Sequence, residues 1–360
     1  MLHKLLSAID RERFASSVVS LTDVGPIGDK IRALGIPVEA LRMRHGIADP
    51  TAIVRLARRL RVMRAQVVQT WMHHADLLGS LGARLGGDPP VAWGLRLTEI
   101  HPDALKRTTA FSLRLLARMS ARWPEKIVCC SEATRVTHTR LGYATRNMIV
   151  IPNGFDLSEF RPDADARLQI RDELGIGAGL LVGVVGRFDP HKDLRSFVSM
   201  AGSIASTRDD VRFLGCGAGI SEENEVLMGW INDAGLEDRF HLLGPRRDMP
   251  RVMAALDVFV SSSVSEGFPN VVGEAMAAEV PCVVTDVGDS ALIVGDSGRV
   301  VPSEDHKALA RECLDLLDDD GLRGRLGVAA RQRIAERFSL PEITKRYENL
   351  YEEMALACAD

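Results

Sequence analysis

The chain has 360 residues, 46% hydrophobic and 26% charged, with no internal repeat and no low-complexity block, so two globular domains are the expectation. No apolar run reaches the length that spans a bilayer, and Met1 to Arg13 lacks the apolar stretch of a secretory signal. Six cysteines without CxxC or CxxH spacing argue against a zinc framework and for buried thiols in a reducing cytoplasm. The net charge of −4 hides a split: residues 1–150 carry 23 Lys and Arg against 12 Asp and Glu, and residues 151–360 carry 22 against 37. A basic first half points to an anionic partner. Nucleic acid is a poor one, because only 5% of residues are aromatic and the acidic second half would repel a phosphate backbone.

Leu2, Leu5, Leu6 and Ile9 fall at helical spacing, so the chain opens on an amphipathic helix. Strands are predicted over 17–21, 67–71, 91–96, 126–131 and 148–152, with helical periodicity between them, as over 51–64 and 104–122. Asn153-Gly154, with Pro162 after it, marks a turn and the domain boundary. The second half restarts with strands over 180–188, 211–215, 240–244, 258–263, 282–286 and 299–302. It ends in helical segments over 306–317, 322–337 and 341–358. Strand and helix alternating from end to end is the pattern of parallel α/β sheets. The expected architecture is therefore two doubly wound Rossmann-like domains, 1–154 and 155–340, with the ligand in a cleft between them. A last helix over 341–360 is expected to pack back towards the first domain.

Most of the chemistry is concentrated in the stretch from Val258 to Glu274. An apolar, β-branched run reads as a buried parallel strand, a Gly-Phe-Pro turn follows, and Asn270 stands where a helix would be capped. Glu266 and Glu274 then bracket a strand's carboxyl end and a helix's first turn, where open α/β sheets bind ligands. Carboxylates there accept hydrogen bonds from sugar or ribose hydroxyls while backbone amides donate to others. The plainer alternative is an exposed Glu and a second Glu that complements the helix dipole. Gly183 to Asp193 makes a second strand-loop-helix unit, in which Gly186 permits close backbone approach and Arg187 and Lys192 supply two cations suited to a diphosphate. Gly215-Cys216-Gly217-Ala218-Gly219 is a third strand-end loop, weak by itself. No Asp-x-Asp falls at a strand end, and Asp318-Asp319-Asp320 reads as a solvated turn with a capping residue.

These pieces resemble the family-4 glycosyltransferases of the two-domain GT-B fold. The likeness rests on Ile151-Pro152-Asn153-Gly154-Phe155-Asp156-Leu157 through Phe160, on Gly186-Arg187-Phe188 with Lys192-Asp193, and on Glu266-Gly267-Phe268-Pro269-Asn270 with Glu274-Ala275-Met276. It covers residues 126–345 well and the rest more loosely. It implies a nucleotide-diphosphate sugar as co-substrate, with no separate cofactor and no metal, and transfer with retention of anomeric configuration. By the same likeness Arg187 and Lys192 hold the diphosphate, and Glu274 bonds the ribose. Glu266 is the catalytic candidate, facing the donor sugar with the amides around Gly267, Phe268, Pro269 and Asn270. The acceptor would be a glycan or a lipid-linked sugar of bacterial surface polysaccharide, lipopolysaccharide or glycolipid synthesis.

The first half departs from the family pattern. Its opening strand and glycine-rich loop are missing ahead of the first helix, so the sequence is expected to begin at an internal methionine of a longer product. The family's first-domain histidine is also absent from Trp93-Gly94-Leu95-Arg96-Leu97-Thr98; His101 lies past the strand end, and His73 and His74 follow another strand. His74 is carried as the acceptor-side candidate, against the alternative of a surface or capping residue. Over 104–122, Arg114, Arg118 and Arg122 form one stripe beside Phe111, Leu115 and Met119. That helix could rest on an anionic membrane surface or simply cover the sheet with a solvated edge. Arg55, Arg58, Arg59, Arg61 and Arg64 are scattered around their helix and read as a solvated face. Two rival functions stay open. One is a sugar-nucleotide-binding protein whose incomplete first domain cannot finish the site. The other is a nicotinamide-dependent oxidoreductase, which needs a G-x-G-x-x-G loop that Gly215-Cys216-Gly217 does not complete.

Overall fold

The structure is a computed structural model that describes residues 1–44, 49–98 and 107–357. The chain divides into two compact units: Met1–Gly154 together with Leu340–Asp360, and Phe155–Ser339. Each has its own parallel sheets and its own core.

The first unit opens with α1 (Leu2–Ala8), then β1 (Val18–Ser20), α2 (Gly25–Ala33), β2 (Val38–Ala40) and α3 (Pro50–Met63). It continues with β3 (Val68–Gln69), α4 (His73–Leu85), β4 (Val91–Leu95), α5 (Arg107–Met119), β5 (Lys126–Cys129), α6 (Glu132–Arg140) and β6 (Met148–Val150). β1 and β2 form a two-stranded parallel sheet, and β3-β4-β5-β6 a four-stranded one. α1 serves both sheets through adjacent side chains. Leu5 packs with Ala92, Val128, Ile151 and Tyr347, whereas Leu6 packs with Ile31, Ile36 and Val38. The helical spacing seen in the sequence is thus an amphipathic helix with two customers, not one. β2 escaped the sequence reading because Val38-Glu39-Ala40 is too short to show alternation. The start of the helix predicted over 104–122, and His101, lie outside the described residues.

The second unit runs α7 (Ala164–Glu173), β7 (Leu180–Val185), α8 (Leu194–Ala205), β8 (Val211–Cys216), α9 (Glu225–Asp233), β9 (Phe240–Leu242) and α10 (Met249–Ala255). β10 (Val258–Ser261), α11 (Asn270–Ala277), β11 (Cys282–Thr285), α12 (Ser290–Val294), β12 (Arg299–Val301), α13 (His306–Asp318) and α14 (Asp320–Arg337) complete it. The last helix of the chain, α15 (Leu340–Leu356), returns to the first unit, where Tyr347 is fully buried and its hydroxyl accepts a 2.7 Å bond from Arg96. All six strands of the second unit are parallel, in the order β12-β11-β10-β7-β8-β9. Burial on both faces explains why β7, β10 and β11 read as unbroken apolar runs. Asp319 accepts from the Leu322 amide at 2.8 Å, so the acidic triplet caps α14 as its sequence implied. Among the described residues no helix is long and apolar enough to cross a membrane.

The second unit also carries a buried charge at the foot of its sheet. Asp257, 8% exposed, accepts from the Leu181 amide at 2.7 Å and pairs with Arg167 at 2.7 Å and Arg171 at 3.2 Å. Arg171 is itself buried and also donates to the carbonyls of Gly177 and Gly179, so it ties α7 to the start of β7. Removing the carboxylate strands a buried guanidinium, which typically costs about 3–5 kcal/mol. Asp257→Ala should therefore lower the second unit's unfolding free energy by about that amount in urea melts. A loss under about 1 kcal/mol, the range of exposed ion pairs, would show that this pair does not hold the unit.

Candidate active site

The strand order of the second unit reverses at β7, its first strand, which pairs with β8 on one side and β10 on the other. Loops leaving β7 and β10 must therefore diverge, and the space at their carboxyl ends is where such sheets take ligands. Both chemically loaded stretches of the sequence lie there.

After β7 the chain makes the loop Gly186 to Asp189, a 3-10 turn over Pro190–Lys192, and then α8. Asp189 accepts from the His191 amide at 3.0 Å, and Asp193, at φ 42°, accepts from the Ser196 amide at 3.2 Å. These two caps fix the turn that presents Lys192. Its stem lies over Gly186, where an added Cβ would meet the Lys192 methylenes at 3.4 Å. The loop after β8 closes on the same spot: Gly217 has φ 144°, and a Cβ there would lie 1.6 Å from the Gly186 carbonyl oxygen. Only glycine fits. The glycine cluster after β8, weak as a motif, is thus a backbone contact between two strand-end loops.

After β10, Ser262 donates to the Lys192 carbonyl at 2.9 Å, and the Val264 amide donates to the His191 carbonyl at 2.9 Å. This stitching brings Glu266 to Lys192: Oε1 lies 2.5 Å from Nζ, and the Ser263 hydroxyl donates to the same oxygen at 2.7 Å. The Lys192 and Glu266 side chains are 23% and 11% exposed, so the pair is half-buried but still reachable. Gly288, at φ 56°, approaches from behind; a Cβ on it would sit 2.3 Å from the Glu266 carbonyl oxygen. The Asp289 amide donates to the Gly267 carbonyl at 3.0 Å. Phe268 is buried and stacks on Phe155 with ring centroids 6.1 Å apart, fixing the turn against the core.

One sequence expectation needs correcting here. Asn270 does not cap the helix: Pro269 takes that position without a side-chain bond, and Asn270 is the first helical residue. The Pro ring supplies the extended φ, ψ of a cap (−72°, 95°), so the side chain of Asn270 is displaced outward and exposed. Glu274 follows one turn later on the same helix and is partly buried. Arg187 is 77% exposed, with Asp189 3.8 Å away. The structure therefore brings Lys192 and Glu266 together and leaves Arg187 extended into solvent. His74 belongs to the first unit, exposed on the first turn of α4 with its ring centroid 4.1 Å from that of His73. Ser263 and the Lys192–Glu266 contact were missed in the sequence. The run Ser261-Ser262-Ser263 was the available signal, hydroxyls where a strand leaves the core.

Comparison with known proteins identifies this arrangement. The family model described as "Glycosyl transferases group 1" matches residues 179–319, and that described as "Glycosyltransferase Family 4" matches residues 1–159. The chain is 30% identical over 261 residues to the lipopolysaccharide core biosynthesis mannosyltransferase LpsB of Rhizobium meliloti, covering 69% of this chain and 70% of that protein. The chain belongs to the glycosyltransferases. The enzyme is also 27% identical over 346 residues to the UDP-Gal:alpha-D-GlcNAc-diphosphoundecaprenol alpha-1,3-galactosyltransferase of Escherichia coli, covering 93% of this chain and 87% of that one. In fold it resembles Anabaena Alr3699/HepE, crystallised with UDP, at a TM-score of 0.85 and 20% identity, over 98% and 96% of the two chains. The two Rossmann-like domains expected from the sequence are the fold of this glycosyltransferase.

The first unit of the glycosyltransferase holds a buried polar cluster that the sequence did not reveal. Asp76, fully buried on the first turn of α4, accepts from the Thr70 hydroxyl at 2.5 Å and the Gly94 amide at 3.4 Å, while its Oδ2 has no partner. Desolvation pushes its carboxyl up to about 8. Burial, then the neighbouring His74 and His138, pulls His73 down to about 4. Asp76 keeps a proton in the folded state that the unfolded chain has lost, so its stabilisation declines as pH rises from the ordinary 3.8 to about 8. His73 works in the opposite sense: its contribution grows with pH from about 4 to the ordinary 6.5 and is flat above. His73, joined by His138, whose burial also lowers it, offsets Asp76 up to about pH 6.5; from there to about 8 Asp76 is opposed by the Met1 amine, which burial lowers from its ordinary 8.0. Over that window Asp76 tilts the unfolding free energy of the first unit, followed by tryptophan emission, downward by at most about 1.4 kcal/mol per pH unit, and the amine reduces that tilt. Asp76→Asn should flatten it. An unchanged slope in the variant would assign the proton elsewhere.

Proposed function

We propose that this glycosyltransferase moves a hexosyl unit from a nucleotide-diphosphate sugar to a glycan or lipid-linked acceptor, with retention and without a metal. The setting is bacterial surface polysaccharide, lipopolysaccharide or glycolipid synthesis at the cytoplasmic side of the membrane. The observation that carries the reading is the Lys192–Glu266 pair at the switch point of the second unit's sheet. An ammonium and a carboxylate held in contact before any ligand arrives offer both halves of what a sugar diphosphate needs. Lys192 neutralises the departing diphosphate, with the exposed Arg187 free to fold over it, and Glu266 faces the sugar. The amides of Gly267, Phe268, Pro269's successor Asn270 and the start of α11 add donors for phosphate or sugar oxygens. Glu274, on the same helix, takes the ribose hydroxyls. A leaving phosphate oxygen accepts the acceptor's proton, so Glu266 orients the sugar and forms no covalent link. His74 is assigned to the acceptor side.

The relatives support the substrate classes. The E. coli galactosyltransferase uses UDP-Gal and a lipid-diphosphate acceptor by its name, and the Rhizobium meliloti relative is a lipopolysaccharide core enzyme. Peripheral contact with an anionic membrane is supported by α5, on which Arg114 and Arg118 are exposed beside Phe111, 67% exposed, with Arg122 exposed in the turn that follows. Cations at such a surface contribute about 1 kcal/mol each.

Calorimetry with a panel of nucleotide sugars should find one donor that binds, and transfer of that sugar should persist in excess EDTA. Glu266→Ala should retain donor binding, since it frees Lys192, yet lose transfer by about 10²–10³ in kcat, as when a transition-state electrostatic contact is removed. A folded Glu266→Ala protein with undiminished turnover would reduce Glu266 to a structural partner of Lys192.

A further inference from the structure

Glu266 is held by two donors of different kinds, and both reach the same oxygen. Oε1 meets the Lys192 ammonium and accepts from the Ser263 hydroxyl at 2.7 Å, while Oε2 has no partner among the described residues. The lysine comes from the loop after β7, 74 residues away in sequence, and its hold rests on a charge that an incoming anion competes for. Ser263 lies three residues before Glu266, so its contact is made inside one turn. That turn is pinned from both sides. Towards β7, Ser262 donates to the Lys192 carbonyl at 2.9 Å and the Val264 amide to the His191 carbonyl at 2.9 Å. Towards β11, Thr285, fully buried at the strand's last position, donates to the Ser263 carbonyl at 2.6 Å and lies 3.3 Å from that of Ser261. The two adjacent serines use their protons differently. Ser262 closes a backbone carbonyl, as buried hydroxyls commonly do, whereas Ser263, 2% exposed, gives its proton to a side chain of the candidate site. Ser261 Oγ, at 3.5 Å, is too far to compete for it.

We propose that Ser263 is a positioning residue for sugar transfer: when a donor phosphate draws Lys192 away, the Ser263 hydroxyl keeps Glu266 in place with Oε2 turned to the ligand, and Thr285 holds Ser263 from behind. The proposal rests on the reading of Glu266 and Lys192 given above and adds how the carboxylate keeps its direction after losing its cation. A carboxylate freed of both donors samples several rotamers, and each wrong one slows transfer without weakening the hold on the diphosphate. A hydroxyl suits the task better than a second cation. It carries no net charge to attract phosphate itself, and its short stem moves only with the turn that carries it. Donated to a carboxylate, its bond is also charge-assisted and roughly twice as strong as a neutral one. Thr285 acts one step further back. Its β-branched stem is stiff at χ1, which fixes the direction in which its proton is offered.

Crystal structures of the Lys192→Ala and Lys192→Ala/Ser263→Ala proteins ask whether the serine alone holds Glu266, with no donor needed. In the first, Oε1 should stay within hydrogen-bond distance of the Ser263 hydroxyl; in the second, Glu266 should occupy more than one rotamer. Displacement already in Lys192→Ala, or an unmoved Glu266 in the double variant, overturns the proposal. Kinetics then read the role, with UDP-glucose, UDP-galactose, UDP-N-acetylglucosamine and GDP-mannose as donor probes. Release of nucleoside diphosphate, with water as acceptor, is the signal. Ser263→Ala should lower kcat at least about tenfold and leave the donor KM within about threefold. Thr285→Val should act in the same direction, and Thr285→Ser, which keeps the hydroxyl, should recover most of the rate. In a Glu266→Ala background, Ser263→Ala should lower kcat by less than about twofold more, since nothing remains to be positioned. A merely structural hydroxyl would carry the same loss into that background, which also overturns the proposal. Impaired Glu266→Ala beside an unimpaired Ser263→Ala defeats the positioning role alone; Glu266→Ala at full turnover defeats it together with the reading of Glu266.

Discussion

The second unit depends on one constraint, the reversal of strand order at β7. Because β7 is flanked by β8 and β10, three loops leave the sheet side by side from strands far apart in sequence. Their backbones then have to approach more closely than side chains allow, and the sequence meets this with glycine at Gly217 and Gly288, where an added Cβ would strike a carbonyl oxygen. Substitution at Gly217 is excluded twice over, by φ 144° and by the Gly186 carbonyl. The site is therefore built from main chain first. Side chains come second, on turns whose direction is already set.

The Lys192–Glu266 contact follows from that order. Two hydrogen bonds from the Ser262–Val264 segment to the carbonyls of His191 and Lys192 hold the two turns together before any charge is considered. The ion pair itself is half-buried, with the Lys192 and Glu266 side chains 23% and 11% exposed, so solvent still reaches it. A pair that solvent reaches is open to exchange, which is what the proposed binding of a donor phosphate to Lys192 requires. The contrast with Asp257 and Arg171 is physical. That pair is buried, its remaining donors are spent on carbonyls, and nothing can displace it.

Much of this was legible in the sequence, for reasons that particular residues make clear. β7 and β10 are buried on both faces, so their apolar runs announce themselves, and a glycine-bearing loop after each marks the carboxyl end. Glu266 and Lys192 could be named because they lie just past those ends. Their contact could not, since it depends on a register between strands about 75 residues apart, near Val182 and Val258. Asn270 looked like a cap because composition favours Asn there; the proline before it took the position through its fixed backbone. The first unit was harder. β2 is three residues long, below any periodicity, and the burial of Asp76 depends on Thr70, just after β3, and on Gly94 of β4.

The charge split along the chain looks different once each cation is traced. Many arginines are not surface charges but hydrogen-bond staples. In the first unit Arg55 reaches the Leu41 carbonyl at 2.9 Å and Arg61 the Leu85 carbonyl at 2.7 Å, so the helix read as a solvated face is partly tied down. In the second, Arg331 gathers the carbonyls of Leu157, Phe160 and Ala277, and Arg333 those of Leu292 and Ile293. A guanidinium has five donors and no acceptor, so one side chain can satisfy several carbonyls that a helix or loop end leaves unpaired. Counting Lys and Arg against Asp and Glu therefore overstates how basic the first unit's surface is. On the proposed function the cations offered to a donor are the exposed Arg187 and the half-buried Lys192, each held by a carboxylate rather than by backbone carbonyls.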